Sequence, residues 1–224
     1  HTWVDQFAGC LREKGIAIDG KVLRGSFDRA AGQTPLHTIT AFATETRVVL
    51  RQMSVDDKSN EIPSVPELLD LMDVGGAVVT LDAMHCQRAT AKSIIEARAD
   101  YVLTVKANQE SLYRRLLKLF ISYGEHDYHV KGLRRHVTVE KSHGRQERRE
   151  YYAIAIPYDE FFSAWAGAKS IGMIYRHRED GAQEHDETMF FISSLPPKVK
   201  RLSQLIRDHW KIENSEHYVL DVTF

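Results

Sequence analysis

The sequence predicts an α/β protein built on a mixed β-sheet. Residues 37–55 alternate in the manner of an antiparallel hairpin, whereas residues 77–83 and 101–107 are continuous apolar runs. Continuous runs are typical of strands buried on both faces of a parallel sheet, and each is followed here by an amphipathic helical pattern. We therefore expect three antiparallel strands, followed by parallel strands that are connected through right-handed crossovers and flanked by helices.

The first 55 residues contain the antiparallel part. β-Branched residues dominate the hairpin, and a loop is expected where Gly, Arg and Ser accumulate. The predicted elements are the end of a helix over residues 1–14, a strand over 16–19, a loop over 21–35, and strands 37–43 and 47–55 around a turn at 44–46.

The next 65 residues alternate between helices and strands. A Ser-Asn-Glu start signal precedes the first helix, and Gly75–Gly76 ends it. The predicted elements are a helix from 59–61 through 65–72, a strand over 77–83, a helix over 90–98, a strand over 101–107 and a helix over 109–120.

Beyond residue 122 the pattern changes to strand-like pieces around a basic loop. These pieces cover residues 135–141, 149–156, 170–176 and 188–193. We interpret residues 123–195 as a mainly β insertion closed by Pro196–Pro197, after which an amphipathic helix over 204–224 rejoins the first unit. The predicted domains are thus 1–122 with 196–224, and 123–195.

Three carboxylates stand out by position. Asp19 and Asp82 each end an apolar strand-like run, and Glu213 lies on the last helix with His209 and His217 four residues to either side. Residues at that spacing share one helix face. Two Asp and one Glu brought together by folding offer the oxygen ligands that divalent metal ions prefer.

Other interpretations of these residues stay open. An Asp that closes a strand is often a turn residue or helix cap, and Glu213 with its two flanking histidines could lie on a surface face or bind zinc. His85 and Cys86 follow Asp82 and suggest a nucleophilic pair, although structural roles fit adjacent residues better.

Composition favours a cytoplasmic protein with a polyanionic partner. The net charge of −1 conceals residues 131–149, with seven basic and two acidic side chains, and 198–211, with five basic and one acidic. Such local fields attract polyanions. The apolar runs are too short to span a membrane, no signal segment opens the chain, and the two cysteines form no paired motif.

Several segments together resemble one known family. The runs IAIDGKVLRGS, TLDAMHCQ, YVLTVKANQ, EKSHGRQERRE and HWKIENSEHYVLDVTF are similar to the transposases of H-repeat elements, insertion-sequence DDE transposases found beside Rhs loci. The resemblance implies a ribonuclease H-like fold with a mainly β insertion before the last catalytic helix. It also implies a catalytic, metal-binding triad of Asp19, Asp82 and Glu213, with two Mg²⁺ or Mn²⁺ ions per site.

The resemblance further implies cleavage and strand transfer at the double-stranded DNA ends of a mobile element, by two protomers paired on DNA. The sequence departs from related transposases at Ile206, His209 and Leu220, where these carry Tyr, Arg and Lys. Phosphate anchoring would then fall to Arg207 or Lys211. Family members also extend beyond both ends of this chain, so a DNA-binding remnant without activity and a cellular ribonuclease H-like nuclease remain alternatives.

Basic and polar residues around the triad are the expected DNA contacts, because phosphate binding requires cationic and donor groups. Trp165 could stack on a base, but a core position is favoured. Lys106 and Asn108 could equally serve as simple caps. The predicted DNA-binding residues are Lys21, Arg24, Lys106, Asn108, His143, Arg145, Arg148, Arg149, Arg207, His209 and Lys211.

Overall fold

The computed structural model describes residues 11–23, 36–55, 61–142, 145–181 and 183–212. Strands account for much of this part of the chain. In chain order they are β1 (Gly15–Leu23), β2 (Leu36–Ala43), β3 (Val48–Val55), β4 (Val78–Leu81), β5 (Asp100–Val105), β6 (Arg134–Ser142), β7 (Arg145–Ala155), β8 (Ser170–Asp180) and β9 (Gln183–Ser193).

Helices occupy four of the connections between the described strands, and a fifth helix follows the last strand. They are α1 (Glu61–Asp70), α2 (Arg88–Glu96), α3 (Glu110–Gly124), the single turn α4 (Glu160–Ser163) and α5 (Val199–His209). The longest of them, α3, has 15 residues. Within the described ranges, we find no helix with the length and apolar character needed to cross a membrane.

The described strands form one mixed sheet in the order β3-β2-β1-β4-β5-β9-β8-β7-β6. The β1–β2 and β2–β3 pairs are antiparallel, whereas β1–β4 and β4–β5 are parallel. The prediction of a mixed sheet that is antiparallel first and parallel afterwards is therefore confirmed. β9 then pairs with β5 in antiparallel fashion, so the β-rich segment continues the same sheet. The division into two domains stays a prediction.

The two faces of the sheet are covered differently. On one face, α1, α2 and α3 pack apolar side chains such as Leu68, Ile94 and Leu116 over the strands. On the other, Leu202, Leu205 and Ile206 of α5 pack against Val78 of β4 and neighbouring strands. The buried positions of α5 recur at three and four residues, which is the spacing of one helix face.

Several predicted boundaries are wrong, and polar strand ends explain most of them. Residues 21–23 are not a loop, because Lys21, Val22 and Leu23 pair with β2. The basic segment from Arg145 to Arg148 is not a loop either, but the start of β7, paired on both sides. Polar residues at the far ends of β8 and β9 pair likewise. Such ends lack the apolar alternation from which strands are predicted.

The predictions at the chain ends are only partly covered. The predicted last helix begins earlier, at Val199, and residues 211–212 are again helical after a turn at Trp210. Its continuation over 213–224, and most of the helix end expected over 1–14, lie outside the described residues. The predicted core position of Trp165 is confirmed, since only 3% of this residue is exposed.

Candidate carboxylate site and its basic surroundings

Asp19 and Asp82 occupy equivalent positions on neighbouring parallel strands. In the register of β1 and β4, Ile18 pairs with Leu81, and each aspartate is the next residue in its chain. Neighbouring strands are about 4.8 Å apart. Both aspartates are partly buried. The parallel pairing therefore carries two predicted metal ligands to the same edge of the sheet.

Backbone amides orient both carboxylates. Oδ1 of Asp19 accepts a hydrogen bond from the Gly20 amide at 2.9 Å, and Oδ1 of Asp82 accepts from Met84 at 3.1 Å and His85 at 3.4 Å. Asp82 thus has the turn-capping role that the sequence left open. The same hydrogen bonds fix the orientation of the Asp82 carboxylate, and they do not exclude metal binding.

Asn108 secures the turn that follows Asp82. Its Nδ2 donates to the carbonyl of Ala83 at 2.6 Å, and the Gln109 side chain donates to Gln87 at 2.7 Å. Lys106 is exposed directly after β5. Because β4 and β5 are parallel, these residues lie at the edge that carries Asp82. Asn108 therefore has a structural role in addition to its predicted contact with DNA.

His85 and Cys86 do not form a reactive pair. Both residues are fully buried. Burial lowers the pKa of His85 against the opposing charge of Asp82. Burial, reinforced by the same charge, raises the pKa of the Cys86 thiol to about 12. A thiol with that pKa stays protonated at neutral pH, so the structural interpretation of these two residues is supported.

Helix α5 crosses the face of the sheet above β1 and β4. Ile212 is fully buried against Ala17 of β1, and His209 Nδ1 lies 3.0 Å from Thr80 Oγ1 of β4. Glu213, the third predicted carboxylate, is the next residue in the sequence and lies outside the described residues, as does His217. His209 is only 8% exposed, so its ring belongs to the helix–sheet contact rather than to an exposed DNA-binding face.

Within the described ranges, His, Cys, Asp and Glu side chains form no group of three or more that could hold a metal ion. The described part of the predicted site is therefore a pair of carboxylates. Glu213 and His217, the other members of the zinc interpretation, lie outside the described residues, so that interpretation stays a prediction.

A small pocket gathers basic residues from three segments of the chain. It has a volume of about 170 Å³ and lies between α5 and strands β7, β8 and β9. Its walls include the predicted residues Arg145, Arg149 and Arg207, together with Arg176 and the partly exposed Trp210. Arg176 is not among the sequence predictions. Because Arg176 lies far from the other arginines in the sequence, no motif groups it with them. Only the cross-strand register brings them together.

Acidic neighbours neutralise much of this basic charge. Arg145 Nη2 lies 2.8 Å from Glu147 Oε2, and Arg149 also pairs with Glu147. Arg207 Nη2 lies 2.7 Å from Glu140 Oε2. These arginines are therefore paired within the protein, although the net charge counted along residues 131–149 already includes Glu140 and Glu147 and stays positive.

The remaining predicted DNA contacts are scattered. Arg148 Nη2 is 2.7 Å from Glu150 Oε1, and Lys211 Nζ is 2.9 Å from Asp208 Oδ1. Lys21 follows Asp19 by two residues on β1 and is partly buried. The last two predicted contacts, Arg24 and His143, lie outside the described residues.

Comparison with known proteins gives a consistent family. A family model described as the transposase DDE domain matches residues 11–224. "Putative transposase YncI" of Escherichia coli O157:H7 is 38% identical over 212 residues, 92% of this chain and 54% of that protein. "H repeat-associated putative transposase YhhI" of E. coli K12 is 35% identical over 217 residues, 92% and 56% respectively. The chain thus spans about half the length of these curated relatives.

A solved structure gives a weaker likeness. It is the cryo-EM structure of piggyBac transposase in a synaptic complex with hairpin DNA, 11% identical, with a TM-score of 0.46 over 94% of this chain and 42% of that one. This likeness is too distant to carry an argument. The sequence comparisons suffice, because the family model extends over nearly the whole chain, from Leu11, four residues before β1, to the last residue. Relatives that carry the H-repeat name are similar to it as well, and the family model shows that this chain belongs to the transposase DDE domain family.

Proposed function

We propose that this chain is the catalytic part of a transposase, which cuts DNA at the ends of a mobile element and transfers the cut strands. The observation that carries the proposal is the parallel register of β1 and β4, in which Asp19 and Asp82 each follow the paired residues Ile18 and Leu81. A ribonuclease H-like arrangement of the sheet is part of the proposal.

Asp19, Asp82 and Glu213 are the residues that would hold two Mg²⁺ or Mn²⁺ ions. The two described members fit this role, since their carboxylate oxygens are hard ligands and are held in direction by backbone amides. When bound, such ions supply an activated oxygen nucleophile and stabilise the charge on the leaving oxygen. Glu213 enters the proposal by sequence position alone.

The chain's own residues would bind and orient the DNA. The exposed Lys106 stands at the carboxylate edge, where an ammonium group attracts a phosphate without specifying a base. Asn108 would keep the Asp82 turn in place through its bond to Ala83. The arginine pocket beside Trp210 is a second contact region, in which Glu147 and Glu140 neutralise part of the arginine charge. We further propose that two protomers pair on the DNA.

Cleavage of supercoiled plasmid and of short duplexes with element ends, in Mg²⁺ or Mn²⁺, tests the proposal. Asp82→Asn keeps an oxygen to accept the Met84 amide but removes the charge, so the fold persists while cleavage is lost. Asp73→Asn is a matched control. Asp73 precedes β4 and accepts the amide of Gly75 at 3.2 Å, two residues on, as Asp82 does after the strand.

Metal-dependent cutting by the wild type and by Asp73→Asn, but not by Asp82→Asn, supports the assignment. Equal cutting by all three proteins contradicts it. A second candidate, which the sequence left open, is a remnant that binds DNA without cutting it. It predicts salt-sensitive binding with no cleavage at all. Cutting without preference for element ends would indicate a nuclease with a cellular role.

A further inference from the structure

Two exposed basic side chains accompany the turns that follow β4 and β5. Lys106 follows β5 directly, and Arg88 begins α2, six residues after Asp82. The two turns are joined by a hydrogen bond, in which Gln109 Nε2 donates to Gln87 Oε1 at 2.7 Å. The edge of the sheet that carries Asp82 therefore carries Arg88 as well as Lys106.

The charge of these two side chains is not balanced by a neighbouring acid. Within the described ranges, no Asp or Glu forms an ion pair with Arg88 or Lys106. Other basic residues of the same helices are paired, since Lys92 of α2 contacts Glu96 at 3.6 Å and Arg115 of α3 pairs with Asp159. Arg88 and Lys106 therefore keep their full charge for an anionic partner.

Arg88 differs from an ordinary surface arginine in that an aromatic ring holds its guanidinium. Its Cζ lies 5.7 Å from the centroid of the Phe161 ring, which is within the range of a cation–π contact. A ring covers one face of the planar guanidinium and leaves the N–H groups in its plane available. Unlike a carboxylate, the ring positions Arg88 without cancelling its charge.

Phe161 is itself attached to helix α3. Its backbone amide donates to Asp159 Oδ1 at 2.8 Å, and Asp159 pairs with Arg115. Arg115 also lies over the Phe161 ring, 5.1 Å from its centroid, but Asp159 balances its charge. Of the two arginines at this ring, Arg88 is therefore the one whose charge is available to a ligand.

We propose that Arg88 binds a phosphate of the DNA at the carboxylate edge, and that Phe161 is the positioning residue for its guanidinium. A phosphate is the fitting partner because its oxygens accept two parallel hydrogen bonds from one guanidinium. Such a contact fixes the backbone and specifies no base. The inference rests on the proposed function, because it takes DNA as the substrate. Arg88 is not among the contacts predicted from the sequence.

Binding of one duplex, measured by fluorescence anisotropy without divalent metal over a series of salt concentrations, tests the phosphate contact. Arg88→Gln should reduce the slope of log affinity against log salt by about 0.9, the value for one phosphate contact on duplex DNA. Arg98→Gln is the matched control and should leave the slope unchanged. Arg98 is exposed, forms no ion pair with the described acids, and lies past the opposite end of α2, about 15 Å away at 1.5 Å per residue.

Variants of Phe161 test the positioning role. Phe161→Leu removes the ring but not the charge of Arg88, so it should weaken DNA binding by about two- to fivefold, the effect of an exposed cation–π contact, with the slope unchanged. Phe161→Tyr keeps the ring and should retain the wild-type affinity. In the Arg88→Gln background, Phe161→Leu should cause no further loss. A loss of the same size in both backgrounds would mean that Phe161 acts through the fold alone, and would overturn its positioning role.

Cleavage assays on the same proteins separate the inference from the proposed function. Equal slopes for the wild type, Arg88→Gln and Arg98→Gln, or an equal loss in the two variants, would overturn the inference even if the wild type cuts DNA with Mg²⁺ or Mn²⁺. A wild type that shows the expected slopes but does not cut would contradict the proposed catalysis and still support the phosphate contact. A wild type that does not bind DNA would overturn both.

Discussion

Two regions of the sheet differ in the groups that contact their acidic side chains. One is the carboxylate edge, with Asp19 and Asp82, and the other is the arginine-rich region around β7, with Glu140, Glu147 and Glu150. At the edge, the hydrogen bonds described for Asp19 and Asp82 come from neutral backbone amides. In the arginine-rich region, Glu140, Glu147 and Glu150 are paired with guanidinium groups. Amides orient a carboxylate without cancelling its charge, whereas an arginine does cancel it. The amide contacts of Asp82 therefore leave its negative charge for a metal ion.

The largest expected effect is at the edge. Asp19→Asn should reduce metal-dependent cleavage by about a thousandfold, because metal stabilisation amounts to several kcal/mol and each 1.36 kcal/mol is a factor of ten in rate. Glu150→Gln, an arginine-paired acid of the other region, should leave cleavage within a fewfold. Initial rates on supercoiled plasmid measure both. A comparable loss in the two variants would erase the distinction between the regions.

The next effect concerns stability and belongs to the arginine-rich region. Glu147 is 4% exposed and pairs with Arg145 and Arg149. Glu147→Gln should cost about 3 kcal/mol of the free energy of unfolding, since the buried guanidinium of Arg149 then keeps only the more exposed Glu140, 3.3 Å from its Nη1. Glu187→Gln breaks the more exposed pair with Arg176 at 2.9 Å, and should cost only about 0.5 kcal/mol.

Urea unfolding at neutral pH measures the two costs. If both variants lost the same small amount, Glu147 would behave as a surface acid, and the ion pairs would not be what holds the polar strand ends together.

The same acids predict a smaller, graded loss of stability in acid. Burial alone would raise the pKa of Glu147, but the hydrogen bond from Arg145 and the charges of Arg149 and Arg176 outweigh burial and lower it. The pKa values of Glu140 and Glu150 are lowered in the same way. A carboxyl whose pKa is lower in the folded state stabilises the fold above its unfolded value, and that contribution is lost as pH falls through the folded pKa.

We therefore expect the urea midpoint to be nearly level above about pH 5 and to fall steadily below the ordinary glutamate pKa of 4.5. Glu147→Gln should show a shallower fall, because it has already lost one of the three groups. An unchanged slope in that variant would mean that other carboxyls dominate acid unfolding.

The sequence predicted the edge better than the arginine-rich region, for a physical reason. An apolar strand that ends in an acidic residue can be recognised in a sequence. Successive parallel strands linked by a helix bring their carboxyl ends together. The position of Asp19 and Asp82 at one edge of the sheet could therefore be predicted from the sequence. The polar halves of β7, β8 and β9 carry no such signal, because cross-strand ion pairs rather than apolar burial hold them. The prediction consequently places Arg145 and Arg148 in a loop and begins the strand only at Arg149.

His209 shows a different kind of error. Its imidazole was assigned to DNA because of its place beside Glu213, yet Leu202, Leu205, Ile206 and His209 follow the spacing of one buried helix face. That spacing was present in the sequence and could have identified the burial. The partner could not have been found in this way, since Thr80 lies 129 residues away in the chain.

The smallest expected effect compares single cations in the two regions. Lys106 is exposed at the edge, while Arg148 is paired with Glu150. If the edge holds DNA, Lys106→Gln should reduce the slope of log affinity against log salt by about 0.9, the value for one phosphate contact on duplex DNA. Arg148→Gln should change the slope by less than half of that, because its charge is already balanced within the protein.

Fluorescence anisotropy with one duplex over a series of salt concentrations resolves such slopes. The order of the two effects matters more than their size. A larger loss of slope for Arg148→Gln would mean that DNA phosphates displace Glu150 from the arginine. The ion-paired arginines of this region would then be available to bind DNA. In that case the balanced charges of the arginine-rich region would contribute to DNA binding as well as to the fold.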